Sequence, residues 1–114
     1  MEADHCLFCQ IIAREIPAEV VGETENSLAF RDIDPVAPTH VLVIPKAHVP
    51  DVGAMSDDPV ALADLFALAG TVAETSGLDG GYRLVTNTGA DGGQVVFHAH
   101  LHVIGGRPLQ WPPG

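Results

Sequence analysis

One long segment of the chain repeats its hydrophobic positions with the period of an α-helix. This pattern covers residues 59–76 and begins at Pro59, directly behind acidic residues that can cap a helix. Gly77 is a natural stop. A shorter helical pattern over residues 6–14 ends before Pro17, because the residue before a proline avoids the helical conformation. The sequence therefore predicts one long and one short helix.

The remaining hydrophobic segments are typical of β-strands. Residues 40–44 carry an almost unbroken run of valine, leucine and isoleucine between two prolines, as expected of a central strand buried on both faces. The other predicted strands cover residues 19–22, 27–31, 82–87 and 95–104. Five strands with two helices predict an α+β fold built on an antiparallel sheet.

Composition narrows the class of protein. The 114 residues suffice for a single domain, predicted as residues 1–114, and the 46% hydrophobic content excludes a disordered chain. Five basic against fifteen acidic side chains give a net charge of -10. No basic stripe is present, so we expect no nucleic-acid partner and no anionic membrane surface. No apolar run approaches the ~20 residues that span a bilayer.

Two cysteines, Cys6 and Cys9, lie close to the start of the chain. No apolar segment follows the acidic first residues, so no secretory signal is expected and the protein is predicted to be cytoplasmic. The thiols are then expected to be reduced. Three interpretations remain open: zinc chelation, which needs two further ligands, inert buried thiols, or redox chemistry at a helix start.

The last predicted strand holds half of the six histidines of the chain. Because strand side chains alternate between faces, His98, His100 and His102 are predicted to share one face. The core face would then carry Phe97, Ala99, Leu101 and Val103. Imidazole acts as base, acid, nucleophile or metal ligand near neutral pH. A solvated polar face and a purely metal-binding row are alternatives, but we favour a catalytic row.

The loop before this strand favours phosphate chemistry. Residues 87–94 are rich in glycine, which lets main-chain N–H groups turn towards an anion. Because the loop directly precedes three histidines, it suggests a phosphate-binding site. His100, flanked by the other two, is the predicted nucleophile that attacks phosphorus.

Together these features resemble the histidine triad family. The resemblance rests on residues 93–102, Gly-Gln-Val-Val-Phe followed by His-x-His-x-His. Further segments resemble its purine nucleoside phosphoramidase branch, the histidine triad nucleotide-binding proteins: residues 30–33, 37–40, 43–46 and the Trp-Pro-Pro-Gly tail, 111–114. The resemblance covers nearly the whole chain. It implies a homodimer in which two five-stranded sheets join, with Trp111 reaching the partner's active site.

The resemblance also implies a covalent reaction that needs no cofactor. His100 would attack the α-phosphorus of a nucleoside phosphoramidate or related AMP derivative, and water would then release AMP from the nucleotidyl-histidine. His102 would contact the phosphate and the leaving group. His98 would orient the nucleophile from behind, and His40 would support the triad.

Binding roles follow from the same resemblance. Asp32 would bind the ribose hydroxyls, Asn87 would lie near the leaving group, and N–H groups around Gly93 and Gln94 would hold phosphate oxygens. Apolar side chains would enclose the purine, although a plain core role is the alternative for most of them: Leu7, Phe8, Ile11, Phe30 and Ile33.

One position departs from the family pattern, and one set of residues is shared with only some members. The family usually carries Ser or Thr where this chain has Val95, so we expect a lost phosphate contact and a slower enzyme. Some bacterial members bind structural zinc through residues that match Cys6, Cys9, His48 and His98.

Two other functions remain as alternatives. One is hydrolysis of dinucleoside polyphosphates, against which the Trp-Pro-Pro-Gly tail argues. The other is a nucleotide-binding interaction module with little turnover, which the absent hydroxyl at Val95 keeps open.

Overall fold

A five-stranded antiparallel sheet organises the fold. The computed structural model describes residues 6–114. The strands lie in the order β1-β2-β3-β5-β4, and each adjacent pair is antiparallel, which confirms the predicted α+β class. In chain order the strands are β1 Val20–Glu23, β2 Ser27–Arg31, β3 Thr39–Pro45, β4 Tyr82–Val85 and β5 Leu101–Gly105.

Both predicted helices are present. The short helix α1 is Leu7–Ile12 and the long helix α2 is Pro59–Thr75. Asp58 caps α2 by accepting a hydrogen bond from the Ala61 N–H at 3.1 Å, as the start signal predicted. A 3-10 turn at Gly53–Asp57, which the sequence did not predict, precedes it. Within the described chain, no helix is both long and apolar enough to cross a membrane.

The two helices cover opposite faces of the sheet. All seven residues of β3 are buried, which confirms its predicted central position. Its side chains alternate: Val41 and Val43 pack with α2, whereas Leu42 and Ile44 pack on the side of α1. His40 shares the period of Leu42 and therefore belongs to the α1 side. The functional side chains gather on this side.

The predicted last strand was too long at its beginning. The sequence pattern placed a strand over residues 95–104, but β5 begins only at Leu101. The reason is a lack of partners: the ladder with β3 ends at Leu101 and that with β4 ends at His102. Upstream of this point, the Ala99 N–H donates instead to the Val49 carbonyl at 2.7 Å. Phe97, predicted to face the core, is 37% exposed.

Strand β4 is also shorter than predicted, ending at Val85 rather than at residue 87. The Thr86 hydroxyl donates to the His100 carbonyl at 2.9 Å, which ties the two chain segments together beyond the end of the ladder. The segment from residue 95 to 100 is thus held by isolated hydrogen bonds. Its histidines are positioned individually rather than by a regular strand.

Candidate active site and metal-binding cluster

A cavity of about 380 Å³ opens on the α1 side of the sheet. Its walls are mainly apolar, and His100 and His102 lie in them together with Asp32 and Asn87. The apolar lining comes from α1, the following loop, the sheet and the segment before β5: Leu7, Phe8, Ile11, Ile16, Pro17, Ala18, Phe30, Ile33, Leu42, Val95 and Val96. Small-molecule sites commonly combine such walls with a few convergent polar groups.

The three histidines lie on the α1 side of the sheet, because Ala99, Leu101 and Val103 between and after them pack on the α2 side, but they do not all reach the cavity. His100 and His102 line the cavity, whereas the fully buried ring of His98 does not. Phe8 packs edge-on against both His98 and His100, with ring centroids 5.8 and 5.2 Å apart. His98 instead turns its Nδ1 towards the cysteines. His98 therefore lies behind His100 on the same side of the sheet rather than in the cavity wall.

The tautomer of His100 follows from its fixed partner. Its Nδ1 lies 2.8 Å from the carbonyl oxygen of His98. A carbonyl oxygen only accepts hydrogen bonds, so Nδ1 of His100 carries the proton. The neutral ring then has its lone pair on Nε2. His100 lines the cavity, and this nitrogen is the ring atom that can act as a nucleophile.

A second chain of contacts determines the proton position on His102. The Val36 N–H donates to Nδ1 of His40 at 3.2 Å, so neutral His40 carries its proton on Nε2. That nitrogen lies 2.9 Å from Nδ1 of His102 and donates to it. His102 therefore carries its own proton on Nε2. Burial, followed by the neighbouring His100 and His40, lowers the pKa of His102 to about 4, so the ring is neutral at pH 7.

Asp32 completes this chain. Its Oδ2 lies 3.4 Å from Nε2 of His40, and its Oδ1 accepts the Asp34 N–H at 2.8 Å. The carboxylate thus lies both in the cavity wall and beside the His40–His102 pair. His40 itself does not line the cavity.

On the far side of His98, two thiols and two imidazoles converge. The ligand atoms of the four residues lie within 4.8 Å of one another: Cys6, Cys9, His48 and His98. Nδ1 of His98 is 3.4 Å from the Cys6 Sγ, and Nδ1 of His48 is 3.3 Å from the Cys9 Sγ. The two Nδ1 atoms are 3.2 Å apart.

These spacings match a tetrahedral metal site. With zinc–nitrogen bonds of ~2.0–2.1 Å and zinc–sulfur bonds of ~2.3 Å, nitrogen ligands lie about 3.3 Å apart and nitrogen–sulfur pairs about 3.6 Å apart. The Nε2–H of His98 donates to the Pro45 carbonyl at 2.8 Å, which leaves the Nδ1 lone pair for a metal. This cluster can hold a metal ion.

A second triplet with similar spacing has the wrong proton arrangement for a metal. The ligand atoms of Asp32, His40 and His102 also lie within 4.8 Å of one another. A ligating histidine normally donates its other ring N–H to an acceptor. His40 does the reverse, because its Nδ1 accepts from the Val36 N–H. This triplet is a hydrogen-bond chain rather than a metal site.

Comparison with known proteins agrees with this arrangement. The HIT domain, as a sequence family, matches residues 13–109. The chain belongs to the HIT domain family. It is 49% identical over 113 residues to an uncharacterized HIT-like protein of Synechocystis sp., covering 98% of this chain and 99% of that protein.

Solved structures give the same result. A HIT family hydrolase from Legionella pneumophila has a TM-score of 0.92 at 52% identity, covering 96% of this chain and 100% of that one. A histidine triad nucleotide-binding protein from Candida albicans has a TM-score of 0.81 at 34% identity, covering 94% and 82%. At this coarse level the chain is a hydrolase-like HIT protein.

Two of the N–H groups predicted to bind phosphate already donate hydrogen bonds within their own loop. The N–H groups of Gly93 and Gln94 donate to the carbonyls of Ala90 and Gly89, both at 3.0 Å. These two N–H groups are thus already bonded within the loop, although Gly93 lines the cavity, and phosphate binding by N–H groups around them stays a prediction. The Gln94 side chain is buried outside the cavity and donates to the Pro50 carbonyl at 2.7 Å. It fixes the loop instead of facing a ligand.

Exposed apolar side chains lie at the cavity rim. Val95 is 81% exposed and Ile33 is fully exposed, and both line the cavity as predicted. Neither Val95 nor Val96 donates its backbone N–H to an acceptor among the residues that the structure describes. Trp111 is 82% exposed and lies outside the cavity of its own chain.

Several residues of the site were not found from the sequence. Leu42 carried a usable signal, because it shares the period of His40 along β3. Val36 and Pro45 act through main-chain groups, and Ile16 and Pro17 line the cavity from a loop. No side-chain pattern identifies such contributions.

In the loop before β5, the backbone at Gly92 packs closely against that of Thr88, and this contact gives a first prediction. A Cβ at Gly92 would clash with the Thr88 carbonyl oxygen, whereas one at Gly80 would meet nothing within 4 Å. Gly92→Ala should therefore lower the free energy of unfolding by about 1–3 kcal/mol in urea titrations. Gly80→Ala is the matched control and should change it far less. Equal stability of the two variants would contradict the loop geometry.

Proposed function

We propose that the protein is a nucleotide hydrolase of the histidine triad type. It cleaves AMP-linked phosphoramidates, or related AMP derivatives, through a covalent nucleotidyl-histidine and releases AMP. The observation that carries this proposal is the Nε2 lone pair of His100, held at the cavity by the bond from its Nδ1 to the His98 carbonyl. No cofactor takes part in the proposed steps.

The two ends of the cavity support a nucleotide substrate. Phe8 and Phe30 pack edge-on at 5.7 Å and, with Leu7, Ile11 and Ile33, offer an apolar slot for a purine. Asp32 lines the same cavity beside the His40–His102 pair, and we assign it to the ribose hydroxyls. Asn87 lines the cavity and donates to the Gly92 carbonyl at 2.7 Å, and we assign it to the leaving-group side. The name of the Candida albicans relative, which describes nucleotide binding, supports the same substrate class.

The proposed reaction has two displacements at phosphorus. Nε2 of His100 attacks the α-phosphorus, and the bond to the leaving group breaks. Water then attacks the same phosphorus, and the bond to His100 breaks to release AMP. The developing negative charge on the phosphate would meet the Nε2–H of His102 and the unpartnered N–H groups of Val95 and Val96. They directly follow the N–H groups of Gly93 and Gln94, which are bonded within the loop.

The quaternary arrangement also belongs to this proposal. We infer that residues 1–114 act as a single domain, and that two copies join in a homodimer in the cytoplasm. The exposure of Trp111 on its own chain is consistent with a contact to a partner subunit's active site. Exposed Tyr82 and Leu84 on the edge strand β4 support a joined sheet.

The nucleophile gives the decisive test. With adenosine phosphoramidate as substrate, His100→Ala should lower AMP release by at least about a thousandfold, because no other residue replaces the attacking lone pair. AMP affinity, measured by calorimetry, should change by less than about tenfold because the purine slot is intact. Wild type that binds AMP but releases none would favour the binding-module alternative.

Val95 sets the expected rate. A hydroxyl at this position would add a hydrogen bond to a charged phosphate, which contributes roughly 1.5–3 kcal/mol. If that bond serves the transition state, Val95→Ser should raise kcat/KM by about ten- to a hundredfold. Val95→Ala removes bulk without adding a hydroxyl and should give no such gain. Unchanged kcat/KM in Val95→Ser would exclude this explanation.

We further propose that the Cys6, Cys9, His48 and His98 cluster holds structural zinc. When bound, zinc would cross-link α1 to the segments that carry His48 and His98. Protein purified under reducing conditions without a His-tag should contain about one zinc per chain by elemental analysis. His48→Ala should lose it, whereas His100→Ala, which removes a neighbouring non-ligand histidine, should retain it. Wild type without zinc after refolding in its presence would rule out the site.

A further inference from the structure

The position of the proton on His102 raises the question of how the leaving group is protonated in the proposed reaction. An alkylamine leaving nitrogen must gain a proton as its bond to phosphorus breaks. Neutral His102 holds a single ring proton, on Nε2, because its Nδ1 accepts from His40. Giving up that proton would leave an imidazolate. His102 therefore needs a second proton, on Nδ1, before it can act as a general acid.

The immediate neighbours of His102 oppose that second proton. A protonated Nδ1 would face the Nε2–H of His40, so two donors would meet. The Nδ1 of His40 cannot take over the proton of its own Nε2, because it accepts the Val36 N–H. His100, whose ring centroid is 5.0 Å away, disfavours a positive charge on His102 as well.

Asp32 is the group that relieves this conflict. It supplies the carboxylate of the triplet, with its Oδ2 3.4 Å from Nε2 of His40 and the three ligand-type atoms within 4.8 Å. A carboxylate oxygen accepts from two donors at once. On moving from within 4.8 Å to hydrogen-bond distance, it can accept the Nδ1–H of His102 in addition to the Nε2–H of His40. Its charge is also the one neighbouring influence that raises the pKa of His102.

We propose that Asp32 is a positioning residue for the leaving-group step, in which its carboxylate accepts the Nδ1–H of cationic His102. This inference rests on the proposed function and adds to the role of Asp32 in binding ribose. The phosphoryl group of a bound substrate provides the negative charge that favours the cation.

The steps then balance. The bond from Nε2 of His100 to phosphorus forms, the phosphorus–nitrogen bond breaks, and the leaving amine takes the Nε2 proton of His102. His102 is left neutral, with its proton on Nδ1 and a lone pair on Nε2. When water attacks the nucleotidyl-histidine, that lone pair takes one water proton and cationic His102 is restored.

Leaving groups of different basicity separate this role from sugar binding. The substrates are an adenosine alkylamine phosphoramidate, whose amine needs a proton, and the p-nitrophenyl ester of AMP, whose leaving group does not. In Asp32→Asn, the loss of kcat should be at least about thirtyfold larger for the amide than for the ester, whatever loss the missing ribose contact adds to both. Repeating both with 2′,3′-dideoxy substrates removes the ribose contact, and the difference between leaving groups should remain.

Two variants serve as controls. Asp34→Asn removes a carboxylate two residues away whose side chain is exposed, and it should not distinguish the two leaving groups. Asp32→Glu retains the charge and should recover part of the lost activity on the amide. Equal losses for amide and ester in Asp32→Asn would overturn the proposal and leave Asp32 as a sugar contact. Absence of AMP release by wild type from either substrate would instead refute the proposed function.

A second measurement covers the case in which Asp32→Asn is too inactive to compare. Nitrogen-15 NMR distinguishes singly from doubly protonated imidazole. In the presence of saturating AMP, His102 of wild type should become doubly protonated at a higher pH than in Asp32→Asn. Identical titration of His102 in the two AMP-bound proteins would also reject the proposal.

Discussion

The hydrogen bond from Nδ1 of His100 to the carbonyl of His98 is the contact on which the site depends. It fixes the ring of His100, the proposed nucleophile, through the main chain of a residue whose side chain lies in the Cys/His cluster. His98 is itself held by the bond from its Nε2 to the Pro45 carbonyl and by the adjacent Ala99–Val49 bond. The cavity and the Cys/His cluster therefore depend on the same short, irregular segment, residues 95–100.

Irregularity gives the three imidazoles their different roles. In a continuous strand, histidines two residues apart would have similar main-chain surroundings. Here the fixed partners differ: a carbonyl at Nε2 of His98, a carbonyl at Nδ1 of His100, and the His40 donor at Nδ1 of His102. One residue type thus offers a free Nδ1 on His98, a free Nε2 on His100 and an Nε2–H donor on His102, which suit the three proposed roles. The main-chain groups, more than the imidazoles, decide which is which.

This explains what the sequence could predict and what it could not. Hydrophobic period located β2, β3 and α2 closely, because each buries a regular face against the core. The same reasoning started β5 at residue 95 instead of Leu101, because the alternation of hydrophobic and polar residues does not show where the partner strands end. The histidine spacing predicted His100 as the nucleophile, and the family resemblance supplied the set of Cys6, Cys9, His48 and His98 that the structure brings together, but neither could assign tautomers. Those depend on the carbonyls of Pro45 and His98 and on the N–H of Val36, which have no side-chain signature.

The negative net charge of the chain limits the groups that can bind an anionic substrate. The chain carries a net charge of -10, and three of its five basic side chains pair with glutamates. Arg31 reaches the cavity wall, but its Nε donates to Glu19 at 2.7 Å. The proposed phosphate would therefore meet neutral donors rather than a free cation. Binding an anion there would raise the pKa of His102, so the substrate itself would create the positive charge that its leaving group consumes.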